Sequence, residues 1–252
     1  MLRQSGRARD LILGAFGLIL FFGLWEMIGQ NRLAGMTWPP LSTVLAYLFD
    51  PDRQGLFLRA MRATLSMVGL GYVLGGITGI AFAALVHVLP KVRPGLDRLS
   101  SVVHAIPSIA LAPIFIVLLS REVTGLAIAF LNVYFIMYIS TTSGLAHSSR
   151  SHRDLFLVLG ASKLSRFFRL DLPVALPAVV GGMKYAIPAS FIGAILGEWF
   201  GSSRGLGLLM VSAMQNFQIP LLWSAMLIAS SVSLLFFGFM TLVEKFVCER
   251  FR

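Results

Sequence analysis

The chain has 252 residues, of which 57% are hydrophobic and only 13% are Asp, Glu, Lys or Arg, with a net charge of +10. Soluble domains carry about 25% charged residues, so this composition argues against a soluble enzyme and excludes a disordered chain. Its single cysteine, Cys248, excludes a disulfide scaffold, and neither a zinc cluster nor another metal site is predicted.

A strongly basic soluble protein would suggest nucleic acid. Here the basic residues lie between long uncharged runs instead of along one amphipathic face. No charged side chain occurs in the 28 residues between Arg62 and Lys91, the 22 between Arg98 and Arg121, the 27 between Glu122 and Arg150, or the 39 between Arg204 and Glu244. A charge at the centre of a membrane helix costs about 2.5–3.5 kcal/mol, so lipid selects such gaps. A soluble helix of that length needs a charged outer face.

Six spans are predicted in chain order: Leu11–Gly29, Thr64–Val88, Leu99–Leu119, Val123–Leu145, Val179–Phe200 and Leu221–Val247. The first reads as a span and not a cleavable leader, because it is long, contains Glu26 and lacks a small-x-small cleavage site. With the N-terminus inside, cytoplasmic segments hold 14 Lys and Arg, among them Arg3, Arg7 and Arg252, against 6 outside, with Lys184 uncounted. Basic residues favour the cytoplasmic side, which places both termini there. The chain then divides into a cytoplasmic N-terminus (1–10), a first span with an external loop (11–63), a membrane core (64–247) and a cytoplasmic C-terminus (248–252). The external loop, with Pro39-Pro40 and Asp50-Pro51, reads as holding one short helix. Trp25, Trp38, Trp199 and Trp223 fall at outer span ends, as an aromatic belt would.

Gly69, Gly71, Gly75, Gly76 and Gly79 crowd the second span, while Pro107 and Pro113 interrupt the third and Pro188 the fifth. Small residues let helices approach closely in lipid, and prolines are tolerated where neighbours satisfy the freed carbonyls.

Residues 146–178 form the largest cytoplasmic loop. Ser151-His152-Arg153-Asp154 has the form of a capping box ahead of the apolar run Leu155–Leu159. Gly160 fits a helix C-terminus, and Ser162 can cap a second short helix over Lys163–Leu170. Pro173 and Pro177 are expected to end that helix and turn the chain back to the membrane.

This loop resembles the cytoplasmic motif of permease subunits of bacterial ABC importers: EAA, three residues, G, nine residues, I-x-L-P. Asp154-Leu155-Phe156, Gly160 and Leu170-Asp171-Leu172-Pro173 keep every spacing, with Asp for Glu, Leu-Phe for Ala-Ala and Leu170 for Ile. Thr64 through Gly79, Arg93-Pro94-Gly95-Leu96-Asp97, Ala105-Ile106-Pro107 with Ala112-Pro113, and Gly197-Glu198-Trp199-Phe200 before Arg204-Gly205-Leu206-Gly207 resemble the nitrate/sulfonate/taurine-type subfamily. Gly197–Trp223 is also similar to importers of pyrimidine-type vitamin precursors.

The resemblance implies an all-α membrane bundle of about six helices, of the type I ABC importer kind, in a bacterial inner membrane. It implies a subunit that forms the path for a small solute, paired with a second permease copy. A periplasmic or lipid-anchored binding protein delivers the solute, and a cytosolic ATPase dimer binds the ATP. Asp154, Leu155, Phe156, Gly160, Ala161 and Ser162 would form the docking element, with Leu172 and Pro173 as its exit. The chain carries no G-x-x-x-x-G-K-[ST] motif, so ATP and its hydrolysis are expected on the partner, with no catalysis and no cofactor here.

Four residues are candidates for the solute path: His104, Pro107, Asn132 and Glu198. Ionisable groups within spans are functional candidates. Packing or interfacial roles compete for each of them, and for Glu26 beside Trp25. An ion-coupled secondary transporter is the alternative, but neither paired midplane carboxylates nor inverted repeats are evident. An intramembrane enzyme is a more remote one, since the four histidines show no metal-binding pattern.

Overall fold

The computed structural model describes residues 2–250, with side chains described in that range except for 2–8 and 11. Arg252 and the side chains of Arg3 and Arg7 therefore lie outside the described residues. The helices are α1 (Leu2–Gln30), α2 (Leu41–Leu48), α3 (Gln54–Val88), α4 (Arg93–Ala105), α5 (Ser108–Leu118), α6 (Arg121–Ala146), α7 (Arg150–Val158), α8 (Lys163–Arg166), α9 (Leu172–Trp199), α10 (Leu206–Gln215) and α11 (Ile219–Arg250). Among the described residues, five helical stretches are long and apolar enough to cross a membrane, and α4 with α5 supplies a sixth if that bent pair is one span.

The third predicted span is not straight. Its two halves meet at 96°. Pro107 lacks an N–H and disfavours helical backbone in the residue before it. Ile106 is accordingly extended, at φ −75° and ψ 121°.

The chain forms two compact units. The first comprises residues up to Leu58 together with Leu209–Leu227. In it, Trp25, Trp38 and Trp223 form an aromatic cluster with ring centroids 4.9–5.6 Å apart. Trp25 Nε1 donates to Pro39 O and Trp223 Nε1 to Thr37 O, both at 3.0 Å. These three tryptophans thus fasten the predicted external loop, within which α2 is the short helix expected there. On α1, Ile12, Phe16 and Ile19 are more than 60% exposed. An apolar helix left uncovered in this way suits lipid.

The second unit comprises Arg59–Leu208 and Ile228–Arg252. Its core is α6, against which α9 and α3 lie closely because the facing residues are small. Gly193 and Gly197 of α9 lie against Ala129 and Gly125 of α6. Gly71, Gly75 and Gly79 of α3, one every four residues, meet Ala129, Val133 and Met137 of α6. A Cβ at any of these three would run into α6 backbone or side chain, whereas Gly69 and Gly76 face open space. Close approach replaces the hydrophobic drive that helices lack in lipid.

Hydrogen bonds add to this packing. Tyr72 OH donates to Met183 O at 2.9 Å and Ser190 Oγ to Val68 O at 2.9 Å, joining α3 to α9. Ser100 and Tyr134 hydroxyls pair at 2.7 Å, and Tyr138 OH donates to Asp97, tying α4 to α6. Such bonds contribute about 0.6 kcal/mol each on average in membrane bundles.

Candidate functional site

The segment 146–178 is built as a supported helical bend. Its first helix, α7, starts earlier than the capping box predicted. Ser149, extended at φ −65° and ψ 148°, is the N-cap, and its Oγ accepts from His152 N at 3.3 Å. The neighbouring serine, Ser148, donates its hydroxyl to Asp171 instead. Three residues beyond Ser149 stands His152, so no acidic partner closes a box. Ser151 and Asp154 lie within the helix, both exposed.

Ser149→Ala is therefore expected to destabilise α7 by about 0.5–2 kcal/mol, read as faster amide exchange over residues 150–158. Asp154→Ala should leave that exchange unchanged; faster exchange in it would restore the capping box.

The C-terminal end of α7 follows the glycine expectation. Gly160 sits at φ +64°. Its N–H donates to Leu157 O at 3.0 Å, and Ala161 N donates to Phe156 O at 2.9 Å. These two bonds form a Schellman motif, which needs a left-handed residue at the glycine position. Ser162 Oγ then accepts from Ser165 N at 3.2 Å and caps α8. Phe156 is half-buried, while Leu155, Leu157, Val158 and Leu159 are 53–85% exposed. Leu164 and Phe168 add to this apolar surface at 61% and 57%.

Pro173 and Pro177 do not end the second helix, contrary to expectation. From Lys163 to Trp199 the chain is one helical run. A π segment, Phe167–Asp171, joins α8 to α9, with Leu172 N–H donating to Phe167 O five residues back. A widened turn takes up the offset that Pro173 imposes in the first turn of α9. Pro177 and Pro188 lie inside α9.

The support beneath the bend is Asp171, which is fully buried. It meets His87 Nε2 at 2.9 Å and accepts from Ser148 Oγ at 2.7 Å. Arg166 Nε stands 3.5 Å away and Arg153 Nε 3.9 Å away. Arg153 also donates to Ser148 Oγ at 2.6 Å and to Leu145 O at 3.3 Å. One carboxylate thus binds α3, the α6–α7 turn, α7 and α8. Sequence reasoning missed Asp171, Ser148 and His87; the available signal was an acid set among Arg153, Arg166 and Arg169.

The candidates for a solute path fall into two groups. At the α4–α5 bend, the His104 ring stacks on Phe135 with centroids 3.6 Å apart. Close by in sequence, Pro107 precedes α5, and Ser108 Oγ donates to Asn132 Oδ1 at 2.9 Å. Asn132 Nδ2 donates in turn to Ala189 O at 3.3 Å, so it bridges α5 to α9. Glu198 lies elsewhere and is 1% exposed. Its Oε1 accepts from Thr64 Oγ1 at 2.7 Å and its Oε2 from Gly207 N at 2.6 Å, while Thr64 Oγ1 accepts from Leu206 N at 2.9 Å. Glu198 and Thr64 together cap the N-terminus of α10.

Glu26 does the same work in the first unit, accepting from Ser42 N at 2.9 Å and Ser42 Oγ at 2.6 Å at the start of α2. A carboxylate near a helix N-terminus satisfies free N–H groups and complements the helix dipole. Lys184 pairs with Glu244 of α11.

The geometry is thus that of a bundle of long apolar helices with one capped helical bend that exposes apolar side chains. The chain belongs to the binding-protein-dependent transport system inner membrane components, matching that family over residues 71–248. It is 31% identical over 232 residues to the formylaminopyrimidine transport permease protein ThiX of Halalkalibacterium halodurans, covering 90% of this chain and 91% of that one. It is also 31% identical over 226 residues to a probable ABC transporter permease protein of Haemophilus influenzae, covering 84% and 92%. Its fold is similar to a chain of the inward-facing MetNI methionine ABC transporter, with a TM-score of 0.68 and 15% identity, over 79% of this chain and 99% of that one. The chain is thus a permease subunit of an ABC importer with the type I fold.

Proposed function

We propose that the chain forms the solute path of the importer with a second copy of itself, and that α7 with the Gly160 turn docks into a cytosolic ATPase that binds the ATP. The observation that carries this is the exposed apolar face of α7, fixed at its end by the Schellman motif and braced from below by Asp171. A rigid knob transmits a push; a floppy loop absorbs it. Asp154, Leu155, Phe156, Gly160, Ala161 and Ser162 belong to this knob, and Leu172-Pro173 carries its motion into α9. The segment 146–178 and both termini then face the cytoplasm, and the chain itself performs no chemistry.

Solute passes near the α4–α5 bend, where His104, Pro107 and Asn132 gather, while both carboxylate oxygens of Glu198 are already used inside the protein. The solute is a pyrimidine-type vitamin precursor, in keeping with the 31% identical relative named for formylaminopyrimidine transport. The sulfonate- and nitrate-like resemblance supports a small anion as the second reading.

Vesicles holding the chain with its ATPase and binding protein should accumulate formylaminopyrimidine only when ATP is inside with the ATPase. Uptake driven by an ion gradient without ATP would overturn the reading. ATP-driven uptake of an alkanesulfonate or nitrate in its place would select the second solute.

A further inference from the structure

We infer that the walls around the Asp171 brace form a binding site for a phosphate-like oxyanion, where the α7–α8 bend meets the ends of α3 and α6. A cavity of about 270 Å³ lies there, and its lining includes His87, Arg93, Thr142, Leu145, Arg153 and Arg166. That volume admits a tetrahedral oxyanion with room to spare and lies just below the roughly 300 Å³ at which ligand pockets begin, so the choice of ligand rests on the walls.

The chemistry of the walls selects an acceptor. Three guanidinium groups offer five N–H donors each and no acceptor. Against them stand two carboxylates. Asp171 already serves His87 and Ser148, and its one charge is shared by Arg166 at 3.5 Å and Arg153 at 3.9 Å. Asp97 takes Arg93 Nε at 3.3 Å and also accepts from Tyr138. Arg153 uses Nε on Ser148 and Nη2 on Leu145 O. The balance leaves a net positive charge and a surplus of donors, which excludes a cation.

Two wall residues also hold buried polar atoms short of hydrogen bonds: Thr142 Oγ1 has no partner, and Arg166 Nε has only the ion-pair contact with Asp171 at 3.5 Å, without an aligned hydrogen bond. Buried polar atoms nearly always find partners, and each exception needs a reason. A ligand that draws Arg166 and Thr142 toward it supplies one. Arg93 is 52% exposed at its side chain, against 34% for Arg153 and 26% for Arg166, so the cavity opens on the Arg93 side and narrows toward Asp171.

The same oxyanion chemistry is available from free phosphate and from the headgroup of an anionic lipid. Either would cross-link α7 and α8 to α3 and α6 and so stiffen the bend. This inference does not depend on the transport reading, because binding is measured without ATP or solute.

The test uses the full chain in phosphatidylcholine nanodiscs, with chloride holding ionic strength constant. Inorganic phosphate is titrated in one arm; in the other, phosphatidylglycerol replaces part of the phosphatidylcholine and no phosphate is added. Thermal stability and amide exchange over residues 150–166 are followed. A saturable stabilisation with slower exchange is expected in at least one arm, and the responding arm identifies the source. Arg166→Gln should raise the apparent dissociation constant about tenfold or more, the effect of one lost charge-assisted hydrogen bond. Should Arg166→Gln fold poorly, Arg93→Gln at the open side and the near-isosteric Thr142→Val carry the same test. No specific response in either arm, or a response unchanged in the folded variants, would overturn the site.

Discussion

Replacing Gly160 by valine is expected to abolish ATP-driven uptake while leaving the membrane bundle intact. At φ +64° a β-branched residue is strained. Left-handed backbone costs roughly 1–2 kcal/mol for an ordinary residue, and relieving that strain breaks the bonds from Gly160 N to Leu157 O and from Ala161 N to Phe156 O. The space around Gly160 is open, so the damage is conformational, not steric, and stays local to a surface helix. Asn tolerates the left-handed region, so Gly160→Asn should keep much of the uptake. Vesicle uptake and pull-down of the ATPase measure both variants. Near-normal uptake in a well-expressed Gly160→Val protein would remove the α7 turn from the coupling machinery.

Glu198→Ala is expected to weaken the fold itself. It would strand Gly207 N–H and leave the Thr64 hydroxyl proton without an acceptor in a buried setting, although Thr64 Oγ1 still accepts from Leu206 N. An unpartnered buried group costs about 1–3 kcal/mol, so the two donors together should cost roughly 2–6 kcal/mol. That loss should appear as early thermal aggregation of the detergent-solubilised protein. Glu198→Gln keeps a carbonyl acceptor and should melt closer to the wild type. If Glu198→Ala melts normally but transports nothing, Glu198 belongs to the solute path instead.

The comparison of these two residues shows what a sequence exposes. Gly160 announced itself through spacing, because a helix end needs only its own neighbours. The apolar helices were legible for a related reason: lipid excludes charge continuously along the chain, and each charge-free gap falls on one of the five long apolar stretches or on the bent α4–α5 pair, although α1, α3, α4 and α9 begin six to ten residues before the predicted starts at Leu11, Thr64, Leu99 and Val179. Pro107 marked the place of the break in the third span but not its 96° angle, since a membrane proline is as compatible with a mild kink.

What stayed hidden depends on distant partners. Glu198 reaches Thr64 across 134 positions and Asp171 reaches His87 across 84, so no local pattern records either pairing. The cap of α7 was misplaced by two residues because Ser149 and Ser151 are equivalent until Ser148 is seen to hold Asp171. The prolines of the loop were read as stops because a π turn leaves no sequence signature of its own.

The every-fourth-residue glycines of α3 also limit how the protein can change shape. Shifting α3 along α6 by a single residue in register, which also turns it by about 100°, would bring Tyr72, Gly76 and Ile80 toward the contact line that Gly71, Gly75 and Gly79 now occupy. The next position that again presents glycines lies a full repeat away, about 6 Å at 1.5 Å per residue. Gradual creep along this seam is thereby blocked. Rearrangement between conformations is then expected to leave α3 and α6 clasped as a single beam and to bend elsewhere, with the Ile106-Pro107 break and the π turn before α9 among the places where the helical ladder is already interrupted.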